Sequence, residues 1–195
     1  MSNDKIAVPL SVYKKPISSN FVQILKEHRK SELLPVRAMI VGIPNVGKSS
    51  IINMLRGKQT TKVENRPGVT RNVQWVYSNF GIQLLDTPGI LNPNLENQEV
   101  AWKLACIGSI STDLFDTVEV SCKLCEFLKK KYPELLLNRY KLENLPESGF
   151  NVLEMMAIKR KFIKKNSELD IERTSKMIIN EFQSGKIGKI SLEIP

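Results

Sequence analysis

The amino-acid sequence predicts an α/β domain, in which helices cover both faces of a sheet in three layers, followed by an α-helical domain. Residues 37–42, RAMIVG, form a continuous apolar run that ends at a glycine. A turn and the helical pattern KSSIINMLRG follow, which together indicate a strand, a loop and a helix. Residues 72–78 and 82–86 read as two further strands, and the turn between them favours a hairpin.

The pattern of the chain changes beyond Pro93. From there apolar residues recur at spacings of three and four, the period of amphipathic helices, and no strand pattern of comparable quality follows. Upstream of the first strand, residues 18–28 also have a helix cap and helical spacing. We therefore expect the α/β domain to occupy residues 1–112 and the helical domain to occupy residues 113–195.

The length and composition of the chain limit the classes of protein to which it can belong. The chain has 195 residues, of which 42% are hydrophobic, so it can build a core. No apolar run is long enough to cross a membrane and no secretion signal is recognisable, so we expect a cytoplasmic protein without a membrane partner. Its three cysteines are expected to be free thiols. Cys122 and Cys125 lie in a helical pattern without further metal ligands nearby, which favours core packing over metal binding.

The loop between the first strand and its helix carries the most specific motif. Residues 42–49, GIPNVGKS, match the G-x-x-x-x-G-K-[ST] pattern of a phosphate-binding P-loop, in the strand–loop–helix context that the mechanism requires. Backbone N–H groups of such a loop and the helix N-terminus favour an anion. Lys48 would place its charge at the β- and γ-phosphates, and Ser49 would offer its hydroxyl to Mg²⁺. The predicted nucleotide-binding loop residues are Pro44, Asn45, Val46, Gly47, Lys48, Ser49 and Ser50.

A second motif, Asp86-Thr87-Pro88-Gly89, follows the third predicted strand. P-loop proteins place at this point the aspartate that holds Mg²⁺, and Gly89 could offer its backbone N–H to a γ-phosphate. Between the two motifs, Thr70 could complete the Mg²⁺ shell in a switch loop that orders with nucleoside triphosphate. Alternatively, Pro67 and Gly68 form an ordinary turn and Thr70 is its edge. We favour the switch, and so assign catalytic roles to Lys48, Thr70 and Gly89.

At these residues the sequence resembles a known family. GIPNVGKSS, RPGVT and LLDTPGIL, and further along LACIGSI, YPELLLNRY and NEFQSGKIGKISLE, are similar to ribosome biogenesis GTPase A, the YlqF/RbgA type of circularly permuted GTPase. The resemblance implies a P-loop GTPase domain with GTP and Mg²⁺, a C-terminal helical domain, and a role in assembly of the large ribosomal subunit. It also implies that Asn45 is a candidate ligand for a stimulating K⁺ ion.

The chain departs from the family pattern in its base-recognition and catalytic groups. The family places an Asn-Lys-x-Asp motif upstream of the P-loop, and no such motif occurs here. Either the chain is truncated or the guanine site is lost, and both interpretations weaken discrimination between bases. Ile90 stands where Ras-like enzymes carry a glutamine that orients the attacking water. We therefore expect slow intrinsic hydrolysis that K⁺ or the ribosome accelerates.

Basic residues near the C-terminus suggest contact with RNA. The net charge of +9 suits a polyanion, although a Lys/Arg run is also typical of a solvated helix face. Trp75 and Trp102 are expected in the protein core rather than in stacking platforms. With the resemblance, ribosomal RNA contact is favoured for Lys159, Arg160, Lys164, Lys165, Lys186 and Lys189.

Two functions therefore stand side by side. The first is a Mg²⁺-dependent GTPase in large-subunit assembly, which we expect to be a monomer with ribosomal RNA, not DNA, as its partner. The second is a truncated, catalytically weak module that binds ribosomal RNA and recognises guanine poorly. An ATP-using P-loop enzyme is disfavoured, because Arg66 to Thr70 and Asp86 to Gly89 are typical of GTPase switches.

Overall fold

The computed structural model describes residues 8, 10–12, 19–27, 34–57, 74–87, 97–110 and 115–193. These residues form two compact units, which divide between Ile90 and Leu91. The first unit contains helix α1 (Ser19–Glu27), strand β1 (Val36–Ile40), helix α2 (Lys48–Arg56) and strands β2 (Gln74–Tyr77) and β3 (Ile82–Asp86). The second contains helices α3 (Gln98–Cys106), α4 (Thr117–Lys131), α5 (Pro133–Tyr140), α6 (Gly149–Arg160) and α7 (Ile171–Gln183).

The three strands form a mixed sheet in the order β1-β3-β2. β1 and β3 are parallel, with Val36 opposite Ile82 and Ile40 opposite Asp86. β2 and β3 are antiparallel, which confirms the predicted hairpin. Because the sequence passes through α2 between β1 and the hairpin, the unit has the strand–helix–strand arrangement of an α/β P-loop fold.

One face of this sheet carries the core of the first unit. Alternate residues of β1 and β3 point to the same side, and their apolar side chains pack with those of α2. Phe21 and Leu25 of α1 pack against the same cluster. The buried residues of this core are Val36, Ile52, Leu55, Val76, Ile82 and Leu84.

Several side chains on the opposite face of the sheet are exposed in the described part of the chain. Met39 is 61% exposed, Trp75 48% and Tyr77 68%, because both described helices of this unit pack on the other side. The expectation that Trp75 lies in the core was therefore wrong: the Arg37 guanidinium lies over its indole ring, 5.2 Å from the centroid. Trp102, in contrast, is buried as expected.

The helical unit is organised around α4. This helix packs against each of the other helices of the unit, and its Leu124, Cys125 and Leu128 are fully buried. Helix α3 belongs to this unit, because Trp102 and Cys106 join the same core. The helical unit therefore includes α3, which begins at Gln98, upstream of the boundary expected after residue 112. No helix in the described ranges has the length and apolarity needed to cross a membrane.

Candidate functional site

The carboxyl ends of β1 and β3 lie side by side at one edge of the sheet. Their parallel pairing sets Ile40 opposite Asp86, so the loop that follows β1 begins beside the Asp86 carboxylate. The Thr87 hydroxyl donates a 2.6 Å hydrogen bond to the Ile40 carbonyl oxygen and ties the two strand ends together. The two sequence motifs, which are about 40 residues apart in the chain, are thus brought to the same place, as in open α/β sheets that bind ligands at this edge.

The backbone of the loop adopts conformations that its sequence favours. Gly47 has a φ of 94°, in the region that residues with a side chain avoid. Asn45 has a φ of 59°, which asparagine tolerates better than most residues. At Gly42, whose φ is 152°, an added Cβ would lie 3.1 Å from Cγ2 of Val46. The loop therefore closes tightly on itself, as a backbone that wraps a phosphate must.

Helix α2 begins directly at the end of the loop. Its N-cap is Gly47, which provides no side-chain hydrogen bond to the first helical N–H groups. These N–H groups and the helix dipole favour an anion at this end. Ser49 and Ser50 lie half-buried in the first turn, directly after the loop.

Lys48 folds back over the loop. Its Nζ donates hydrogen bonds to the carbonyl oxygens of Gly42, at 3.0 Å, and Ile43, at 2.8 Å, and the residue is only 9% exposed. Burial lowers the pKa of the Lys48 ammonium, while the Asp86 carboxylate opposes that shift. The ammonium is held by two neutral acceptors, and anionic phosphate oxygens would replace them with hydrogen bonds in which both partners are charged.

Asp86 is a buried carboxylate with spare acceptor capacity. The residue is 1% exposed, and its Oδ1 has no hydrogen-bond partner among the described residues. Burial raises the pKa of Asp86, whereas a hydrogen bond from the Gln74 side chain and the charge of Lys48 lower it. A buried acceptor without a partner is costly in a protein interior, and a divalent cation prefers carboxylate and hydroxyl oxygens. Asp86 and Ser49 therefore fit Mg²⁺.

The structure brings together only some of the predicted site residues. The loop residues 44–50 and Asp86 meet at one sheet edge, whereas Thr70 and Gly89 lie outside the described residues. Gln74 was missed by the sequence prediction, because a glutamine in a strand pattern is not distinctive. The register of the sheet places Gln74 directly opposite Asp86.

The basic residues predicted to contact RNA are all exposed, but they do not form one group. The Arg160 guanidinium lies 3.9 Å from the Glu181 carboxylate, and the Lys186 N–H donates to the Glu181 carbonyl oxygen, so these two basic residues share a neighbour. Lys159 pairs with Glu143 at 3.3 Å. Lys164 and Lys165 lie on a hairpin that an Ile163–Leu169 bridge closes, and Lys189 follows the buried Ile187.

The arrangement agrees with the similarities to known proteins. Residues 37–139 match the family model described as "50S ribosome-binding GTPase". Ribosome biogenesis GTPase A of Bacillus cereus is 39% identical over 160 residues, which are 82% of this chain and 54% of that protein. The protein of the same name from Thermotoga maritima is 34% identical over 159 residues, 82% of this chain and 56% of its own length. The chain thus spans a little over half the length of these curated relatives.

Solved structures show the same relationship. A GDP-bound YlqF structure superposes with a TM-score of 0.56 at 31% identity, and covers 89% of this chain and 66% of its own. A GNP-bound YlqF from T. maritima gives a TM-score of 0.54 at 30% identity. These matches confirm the resemblance to ribosome biogenesis GTPase A and the α/β P-loop fold. With a family model that covers residues 37–139, this chain belongs to the 50S ribosome-binding GTPases.

Proposed function

We propose that this chain binds GTP with Mg²⁺ and hydrolyses it to GDP and phosphate during assembly of the large ribosomal subunit. One observation carries the proposal: the buried Lys48 and the buried Asp86 lie at the same edge of the sheet, and one carboxylate oxygen of Asp86 has no hydrogen-bond partner among the described residues. The N-terminus of α2, which no side chain caps, begins at the same loop. The names of the relatives, ribosome biogenesis GTPase A, support it.

Each residue of the site has a distinct task in this proposal. The loop N–H groups of residues 44–50 cradle the phosphates, and Lys48 releases the loop carbonyls to hold the β- and γ-phosphates. Ser49 and Asp86 hold Mg²⁺, which when bound neutralises charge on the phosphates. Thr70 and Gly89 complete the γ-phosphate side, and Asn45 is the candidate K⁺ ligand.

Hydrolysis by the chain alone is expected to be slow. Ile90 has no polar group to orient the attacking water, so the catalytic group must come from elsewhere. We propose that K⁺ or the large subunit supplies the missing stabilisation.

The primary test measures phosphate release from GTP in K⁺ and in Na⁺ buffers, with and without large ribosomal subunits. The wild-type chain should be compared with Lys48→Ala, which removes the ammonium from the phosphate site. We expect the variant to lose nucleotide affinity and turnover, by a factor on the order of 10² or more. Equal nucleotide binding and equal rates in the two proteins would contradict the proposal.

A second candidate function is a ribosomal RNA-binding module with little turnover. It is favoured by the exposure of Lys164 and Lys165 on their hairpin. Filter binding of ribosomal RNA should fall steeply with salt, because each phosphate contact releases counterions.

Charge-reversal variants locate that RNA contact. Lys164→Glu with Lys165→Glu should reduce the salt slope by about one for each lost phosphate contact. Lys131→Glu with Lys176→Glu, which reverses two exposed lysines on α4 and α7, serves as the control for net charge alone. A flat salt dependence, or equal loss in the control, would exclude this surface as the RNA site.

A further inference from the structure

Gln74 and Asp86 form the last residue pair of the antiparallel β2–β3 ladder. Directly opposite residues in such a ladder project their side chains to the same face of the sheet. That face also carries the core of the first unit, in which Leu84 and Val76 form the next pair. The pair of Gln74 and Asp86 is therefore where the apolar core ends and the candidate phosphate site begins.

The two side chains also interact. A hydrogen bond from the Gln74 side chain lowers the pKa of Asp86, while Oδ1 of the buried carboxylate has no hydrogen-bond partner among the described residues. Gln74 itself is exposed at the beginning of β2. A hydrogen bond from a neighbouring side chain restricts the rotation of a carboxylate. The oxygen without a partner then remains available to another ligand.

We propose that Gln74 is a positioning residue, which orients the Asp86 carboxylate so that Oδ1 serves as the metal-site oxygen. The inference rests on the proposed function, since it assigns a partner to the same Mg²⁺ site. Carboxylates that bind metals are themselves hydrogen bonded by neighbouring groups, and loss of such a neighbour commonly reduces metal affinity by 10- to 100-fold, roughly. Gln74 acts through Asp86 and does not contact the nucleotide in this scheme.

The test separates metal affinity from nucleotide affinity in the full chain. Binding of fluorescent GDP is measured over a range of free Mg²⁺ concentrations and in EDTA, for the wild type, Gln74→Leu and Gln74→Met. Both substitutions keep a side chain of similar size without adding charge, and neither can donate a hydrogen bond. We expect the Mg²⁺ midpoint to rise by about 10- to 100-fold, with GDP affinity in EDTA unchanged.

Gln83→Leu is the matched control. Gln83 lies on the opposite face of the same hairpin, where its Nε2 donates to the Tyr77 hydroxyl at 2.6 Å and its Oε1 accepts from Arg37 at 3.0 Å. Loss of this amide removes hydrogen bonds from the sheet without touching Asp86, so the Mg²⁺ midpoint should stay at the wild-type value.

The outcomes distinguish the inference from the function on which it rests. An unchanged Mg²⁺ midpoint in folded Gln74→Leu, or the same shift in Gln83→Leu, overturns the positioning role and leaves the proposed function intact. Loss of folding in both Gln74 variants assigns the residue a structural role and overturns the inference as well. A wild-type chain that binds no GDP, or binds it without any response to Mg²⁺, overturns both.

Discussion

The Thr87 hydroxyl and the Ile40 carbonyl oxygen are joined by a 2.6 Å hydrogen bond at the edge of the sheet. This bond connects the ends of β1 and β3, where the phosphate loop starts and where the Asp86 carboxylate is held. The hydrogen bond of Thr87 therefore holds together the strand ends that carry the loop at residues 42–49 and Asp86. Movement of either strand end would change the separation of the Lys48 and Asp86 side chains.

Thr87→Val should loosen this junction. The substitution keeps the shape of the side chain but leaves the Ile40 carbonyl without its donor, at a cost of about 1 kcal/mol. Hydrogen exchange of the β1 amides should then accelerate by about fivefold, since 1.4 kcal/mol corresponds to a factor of ten. Thr87→Ser retains the hydroxyl and should exchange at the wild-type rate; an equal acceleration in the serine variant would rule out the hydrogen bond as the cause.

Gly149→Ala should destabilise the helical unit. A Cβ at this position would lie 2.3 Å from the carbonyl oxygen of Cys122, so α4 and α6 would have to separate. Overpacking of this kind costs about 1 to 3 kcal/mol, which urea unfolding followed by circular dichroism can measure. Asn151→Ala, an exposed change in the same helix, is the control and should stay within about 0.5 kcal/mol of the wild type.

The pairing of Arg139 with Glu181 should make stability depend on pH. Arg139 donates two hydrogen bonds, of 2.9 and 2.7 Å, to the carboxylate, and these lower the pKa of Glu181 below its ordinary value of 4.5. Because the pKa of Glu181 is lower in the folded protein, its ionised carboxylate stabilises the fold above pH 4.5. This stabilisation is lost as the pH falls through the folded-state pKa.

Glu181→Gln therefore tests this contribution. We expect it to cost about 1 to 2 kcal/mol at neutral pH, a value reduced for the partial exposure of Arg139, and to flatten the loss of stability in acid. Glu172→Gln, on the exposed side of the same helix, should leave the pH profile of urea unfolding unchanged. If the stability of Glu181→Gln fell in acid as steeply as that of the wild type, the pH dependence could not be assigned to the Arg139–Glu181 pair.

The three cysteines should differ in reactivity. Burial raises the pKa of Cys106 to about 12 and that of Cys125 well above its ordinary value, so few of these thiols ionise near pH 8. Cys122 is only half-buried, although burial raises its pKa as well. Alkylation of the native protein should label Cys122 first, and Cys106 and Cys125 only after unfolding. Faster labelling of Cys106 than of Cys122 would contradict the buried placement.

The expectation that Cys122 and Cys125 pack rather than bind metal can be tested in the same samples. Cys125 is fully buried in the helical core, and no group of three or more potential ligands occurs in the described ranges. We expect no zinc by elemental analysis and no change in alkylation after treatment with a chelator. Protection of both thiols by added zinc would overturn that expectation.

The sequence by itself determined the elements of the first unit and the identity of the phosphate loop. The apolar run before Gly42, the glycines of the loop and the hairpin pattern are local signals, because each depends on the conformational preference of adjacent residues. β3 spans the predicted residues 82–86, and the predicted helix at residues 18–28 contains α1. The helical character beyond Pro93 follows from periodicity alone.

Only the tertiary structure decided which distant groups meet. The exposure of Trp75 depends on which face of the sheet the helices cover. Side chains of a strand alternate between the two faces in either case, so the alternation does not show which face is buried. The inclusion of α3 in the helical unit depends on Trp102 and Cys106 reaching the core around α4. The pairing of Gln74 with Asp86 depends on the register of the two hairpin strands, which the alternation of apolar residues does not fix to a particular pair.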